Sequence, residues 1–88
     1  MTTYLVERYL PGRDRAWLEE ALARIPSNDA DVAYHGSFYV PSEESCFCRF
    51  TAPDAESVVR MNELAGVPFA RIVAVVELAQ PSTARRGQ

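Results

Sequence analysis

The segment Ser37–Phe50, Ser-Phe-Tyr-Val-Pro-Ser-Glu-Glu-Ser-Cys-Phe-Cys-Arg-Phe, constrains this chain more than any other. Aromatic and β-branched residues flank Pro41-Ser42-Glu43-Glu44, the pattern of two strands joined by a turn. Only here is strand expected to follow strand directly. Upstream, Tyr4–Leu10 reads as a strand stopped by Pro11-Gly12. Trp17, Leu18, Ala21, Leu22 and Ile25 then recur at helical spacing behind Asp14, a capping residue. Glu20 stands four residues before Arg24 on the outer face of that helix, spacing that suits an ion pair. Pro26-Ser27-Asn28-Asp29 ends the helix, and Asp31–Tyr39 is the next strand. Downstream, Pro53 and Asp54 open a second helix with Val58, Val59, Met61, Leu64 and Ala65 as its buried stripe. Gly66 and Pro68 close it. Phe69–Leu78 reads as the last strand.

The order strand-helix-strand-strand-helix-strand predicts an α+β fold of the ferredoxin-like βαββαβ kind. Its sheet is antiparallel, its crossovers are right-handed, its first and third strands are central, and both helices lie on one face. A chain of 88 residues suffices for one small domain. Residues 1–79 are expected to form it. Residues 80–88, made of Gln, Pro, Ser, Thr, Ala, Arg and Gly, read as a loose C-terminal tail.

Charge narrows the function. The net charge is -3, and two of the nine basic residues, Arg85 and Arg86, sit in the tail. An acidic body without a basic stripe argues against nucleic acid as a partner. Every basic residue is arginine, so no lysine is present to form a Schiff base. Met1-Thr2-Thr3-Tyr4 lacks the charged-then-apolar pattern of a secretion signal, and no apolar run approaches the roughly 20 residues of a membrane helix. The expectation is a cytoplasmic protein without a membrane partner, with Cys46 and Cys48 reduced. Alternation puts both thiols on one side of a strand, with Cα atoms about 6.5–7 Å apart, which suits a disulfide poorly and a free core cysteine well.

Strand alternation also divides the sheet. Tyr4, Val6, Arg8, Val32, Tyr34, Phe38, Cys46, Cys48 and Phe50 are expected beneath the helices. Leu5, Glu7, Tyr9, Ala33, His35, Ser37, Tyr39, Phe47, Arg49, Val73, Val75 and Glu77 are expected on the uncovered face. That face is too apolar to stay in water, which predicts a homodimer through the sheet or a ligand cavity above it. Glu7 and Arg49 fall on the two central strands as expected cross-strand neighbours. Two readings follow. In one, the charges form an ion pair that sets register at a dimer seam. In the other they line a small-molecule pocket: Arg49 orients an oxyanion, Glu7 or His35 moves a proton, and Tyr9, Ser37 and Phe47 hold the ligand. His35, the only histidine, is either a hydrogen-bonded structural residue, a base or a metal ligand.

Several short motifs carry a family likeness. Tyr4-Leu5-Val6-Glu7-Arg8 with Leu10-Pro11-Gly12 resembles the opening of a group of small bacterial ferredoxin-like domains, some of them described as nickel-binding proteins. Tyr34 with Ser37-Phe38 is similar to an aromatic-x-x-Ser-aromatic segment of their second strand. Cys48, Ala52-Pro53-Asp54 and Ala65-Gly66-Val67-Pro68 resemble their third strand, second helix cap and final loop. The resemblance runs to about Leu78. It implies a βαββαβ homodimer with a divalent metal, Ni²⁺, held at its surface, for which Glu7 and His35 are the best-placed residues. On fold alone the chain also resembles dimeric α+β barrels, among them cofactor-free oxygenases, isomerases and cyclases.

Overall fold

The computed structural model describes residues 1–79. The tail expected over 80–88 lies outside the described residues. Strand β1 spans Thr2–Tyr9, helix α1 Arg15–Ala23, β2 Asn28–Asp29, β3 Val32–Val40, β4 Ser45–Ala52, helix α2 Ala55–Ala65 and β5 Arg71–Val75. The strands form one antiparallel sheet in the order β2-β3-β4-β1-β5. The architecture is α+β, a five-stranded antiparallel sheet with two helices, consistent with a ferredoxin-like fold. The two strands expected at the centre, β1 and β4, are adjacent there. Strand β2 is an addition to the expected order. It is two residues folded back on Val32 and Ala33 by a tight turn at Ala30, whose φ of 54° is left-handed.

Local chemistry sets the element ends. Asp14 and Asp54 cap α1 and α2 by accepting the backbone N–H of Trp17 and Ser57, each at 2.8 Å. Gly66 ends α2 at φ 71°, in the left-handed region that glycine enters without a Cβ clash. The β3–β4 connection is a single 3₁₀ turn over Pro41–Glu43, and Glu44 follows at φ 53°. Arg24 does not pair with Glu20. Its guanidinium donates to the carbonyls of Ala65 (3.0 Å) and Gly66 (3.3 Å), at the C-terminal end of α2. A cation is favourable there because the last carbonyls of a helix lack intrahelical donors. The i,i+4 pair on α1 is instead Arg15–Glu19.

Both helices press on one side of the sheet. Leu18 and Ala21 of α1, with Ile25 just beyond it, and Val58 and Met61 of α2 cluster with Tyr4, Val6, Val32, Cys46, Cys48, Phe50 and Ala52. Each fully buried aliphatic or aromatic side chain here contributes about 1.5–3 kcal/mol. Leu64, expected in the stripe of α2, is 78% exposed; Asn62 is buried instead. The last strand is shorter than expected, ending at Val75. Among the described residues, no helix is long and apolar enough to cross a membrane.

The main departure lies in β3. Its register against β4 shifts between Tyr34 and Gly36, so His35 is the extra residue of a β-bulge. Simple alternation fails beyond it. Ser37, opposite Cys48, and Tyr39, opposite Cys46, turn toward the helices, whereas Phe38 turns away and is 76% exposed. The faces expected for these three residues are therefore reversed. Gly36 sustains the bulge with a φ of 121°, which L side chains rarely adopt.

Candidate functional site

The uncovered sheet face holds most of the side chains expected there. Leu5, Glu7, Phe47, Val73 and Val75 are half-buried on it, and Phe38 joins them. The charges do not pair as expected. Glu7 faces Phe47, and Arg49 faces Leu5. Glu7 accepts instead from Arg71, its direct neighbour on β5, with Nε 3.0 Å from Oε1. Arg49 reaches Glu77 at 3.6 Å. The face thus carries two acids and two bases that neutralise each other. The Glu7 carboxylate holds the Arg71 guanidinium above its ordinary value by hydrogen bonding and charge.

His35 is exposed, raised on the bulge, with Nε2 2.9 Å from the Thr51 hydroxyl. Glu7 is distant from it. Strand β4 separates β3 from β1; Glu7 stands opposite Phe47, whereas His35 lies between the residues opposite Phe50 and Arg49. At ordinary strand spacings the two backbones are roughly 13 Å apart. Glu7 and His35 of a single chain therefore do not meet at one metal ion. Among the described residues no group of three or more His, Cys, Asp or Glu side chains is placed to hold one. Arg49, paired to Glu77, does not converge with Glu7 and His35 on one cavity. Tyr9 is exposed near the end of β1, and Ser37 lies on the opposite side of the sheet.

The side chains that do converge lie beneath the helices, around Cys48. Arg8 shares a face with Tyr4 and Val6, as alternation predicts, and is only 1% exposed. Its guanidinium donates to Asn62 Oδ1 (2.5 Å), to the carbonyls of Pro68 (3.0 Å) and Val67 (3.4 Å), and to Cys48 Sγ (3.4 Å). Asn62 is oriented by its own donation to Val58 O at 2.8 Å. Among the described residues no carboxylate meets this buried cation, and the Cys48 sulfur is the one neighbour there able to carry negative charge.

That sulfur also accepts the Ser37 hydroxyl at 2.9 Å and lies 3.8 Å from Cys46 Sγ. With its proton directed at Cys48, Ser37 receives the Tyr34 hydroxyl in turn, and Tyr34 stacks on Phe50 with ring centroids 4.9 Å apart. The effect is a relay of donors ending on one sulfur. Donation from Cys46, the Arg8 charge and the Ser37 hydroxyl pull the Cys48 thiol down to about 6 against the resistance of burial. Holding that shared proton pushes Cys46 far up, and burial adds to the effect. Burial also pushes the Tyr34 phenol up. Both cysteines are free, as expected.

A groove of about 690 Å³ runs between α1 and the β3–β4 pair, lined by Leu18, Leu22, Ser37, Tyr39 and Cys46 among others. It does not take in Glu7, His35 or Arg49. Sequence reasoning placed Arg8 beneath the helices but missed the cluster, because Asn62 was not singled out as its partner and because the bulge concealed the inward turn of Ser37. The available signal was parity: Arg8 alternates with Tyr4 and Val6, and Asn62 follows Val58 by four residues on the stripe.

Comparison with known proteins supplies the rest. The crystal structure of SCO4226 from Streptomyces coelicolor A3(2) aligns with 88% of this chain and 99% of its own at a TM-score of 0.75 and 22% identity, a likeness of fold. No curated protein matches the chain significantly. Residues 4–75 match the family described as nickel responsive protein SCO4226-like. That span runs from Tyr4, within β1, to the end of β5, and the chain belongs to the SCO4226-like family of nickel responsive proteins.

Proposed function

We propose that the protein works as a homodimer closed through its uncovered sheet face, and that it binds Ni²⁺ with His35 as the anchoring ligand. The observation that carries this reading is the face itself: apolar, neutral in charge, and displaying the only imidazole of the chain at its β3 side. At ordinary strand spacing the face offers about 500–600 Å² per copy, roughly 1,000–1,200 Å² in total, which reaches the threshold of a specific interface but lies at the weak end. A second copy suits it because the Glu7–Arg71 and Arg49–Glu77 pairs leave no net charge to repel an identical surface. Family membership supports nickel as the cation, and imidazole is a favoured nickel donor. One protomer offers an incomplete donor set, so this reading has the partner copy supply further ligands.

The test is calorimetric titration with Ni²⁺. Saturable binding at micromolar concentration is expected for the wild type and lost in His35→Ala with the dimer intact. A flat titration of the wild type, or undiminished binding by His35→Ala, contradicts the assignment. No observation favours the proton-transfer reading of Glu7, His35 and Arg49, since Glu7 and Arg49 are engaged in separate ion pairs.

A further inference from the structure

We infer that the outer edge of β3, from Gly36 to Val40, takes up an extended basic peptide segment of a partner protein as a further strand. Two alternate apolar side chains of that segment lodge in the groove along α1. The site lies at the rim and on the helix side of the sheet. It uses neither His35 nor the uncovered face, so it does not rest on the nickel or dimer readings.

The backbone supplies the first half of the site. Strand β2 covers β3 only at Val32 and Ala33, and the Ser27 carbonyl accepts the Tyr34 N–H. Beyond the bulge, among the described residues, no strand pairs with the outer side of Gly36–Val40. Alternation decides which groups point there. Leu10 N–H donates to Glu44 O and continues the β1–β4 ladder, so Cys46 and Cys48 aim their backbone groups at β1. Ser45, Phe47 and Arg49 aim theirs at β3, where Val40, Phe38 and Gly36 receive them. Ser37 and Tyr39 therefore turn N–H and C=O outward. Unpaired strand groups of this kind are a template for another strand. Gly36-Ser37-Phe38-Tyr39-Val40 contains neither a charge nor a proline that would blunt the edge.

The groove supplies the second half. Residues directly opposite each other in an antiparallel pair send their side chains to the same face. On an added strand, the residues opposite Ser37 and Tyr39 thus face the helix side, where the groove of about 690 Å³ opens. Ser37, Tyr39 and Cys46 line it from the sheet, and Leu18 and Leu22 line it from α1. Main-chain bonds to the edge then give affinity, and the groove selects apolar residues at alternate positions. Charge selects the rest of the segment. Asp14 and Glu19 stand on the α1 wall, and Glu43 follows Pro41 at the end of the groove. Arg15, the cation of that lining, is already held by Glu19 at 2.9 Å. This acidic margin, on a chain of net charge -3, complements a basic segment and repels an acidic one.

The test is an amide NMR titration of the full chain with the peptide acetyl-Arg-Thr-Val-Thr-Val-Thr-Arg-amide, which carries the required pattern. The Ser37 and Tyr39 amides are expected to shift saturably below millimolar peptide and to exchange with solvent more slowly. Methylating both valine nitrogens removes two main-chain donors and is expected to weaken binding at least about tenfold. Exchanging both arginines for glutamate is expected to weaken it by about as much at low salt. No saturable shift with the first peptide overturns the inference. Equal binding by the methylated or the acidic peptide, or shifts confined to the uncovered face around Phe47 and Arg49, overturns it as well. So does slow exchange of the Ser37 and Tyr39 amides without peptide, since a second copy of the chain then holds the edge.

Discussion

Arg8 is a permanent cation under the C-terminal half of α2, held by an amide, two carbonyls and a sulfur rather than by a carboxylate. Removing it strands several buried acceptors and a sulfur that has lost its positive neighbour. Arg8→Met is therefore expected to destabilise the fold by about 3 kcal/mol or more, read from urea unfolding. The Cys48 thiol, pulled from an ordinary value of 9.0 to about 6, makes stability depend on pH. Between those values the folded chain holds a thiolate and the unfolded chain a thiol. The unfolded state then binds the extra proton, so stability rises with pH across this window, by at most about 1.4 kcal/mol per unit. Cys46 acts oppositely: its thiol stays protonated in the folded chain after the unfolded one ionises, so the gain reverses above about pH 9. Urea midpoints measured across this range should climb for the wild type and lie nearly flat for Cys48→Ser. A flat wild-type profile counts against the thiolate.

Among elements, the bulge in β3 decides which side chains reach which face. A Cβ added at Gly36 would meet no atom within 4 Å, so the cost of a larger residue there is backbone strain alone. Gly36→Val is expected to cost about 1–3 kcal/mol and to disturb the Ser37–Cys48 hydrogen bond, seen as a lower melting temperature and faster thiol alkylation. The bulge also marks where the sequence stops being legible. Element order, both helix caps and the central position of β1 and β4 follow from Pro, Gly and Asp positions and from residue periodicity. Alternation places Cys46, Cys48 and Phe50 under the helices, where they are. It misplaces Ser37, Phe38 and Tyr39, because one inserted residue reverses every later side chain and no residue type announces it. The Glu7–Arg49 pair fails for a related reason: register is set by all the strands together, and β5 brings Arg71 closer. Asn62 escapes notice because an amide in a helix reads as outward-facing until the Arg8 it serves is seen beside it.

For the whole molecule, the two faces of the sheet have different fates. One is sealed by α1 and α2 around the Arg8–Cys48 cluster, and the other stands open with Leu5, Phe38, Phe47, Val73 and Val75. A second copy covers that face in the reading advanced above, and His35 at its margin offers the imidazole for nickel. Phe38 tests the arrangement well, since it is 76% exposed and its replacement leaves the helix-side core intact. The most direct measurement is sedimentation equilibrium of the wild type and Phe38→Asp at micromolar concentration. The account predicts twice the protomer mass for the wild type and a folded monomer for Phe38→Asp. A wild type that sediments as a monomer at the same concentration contradicts it.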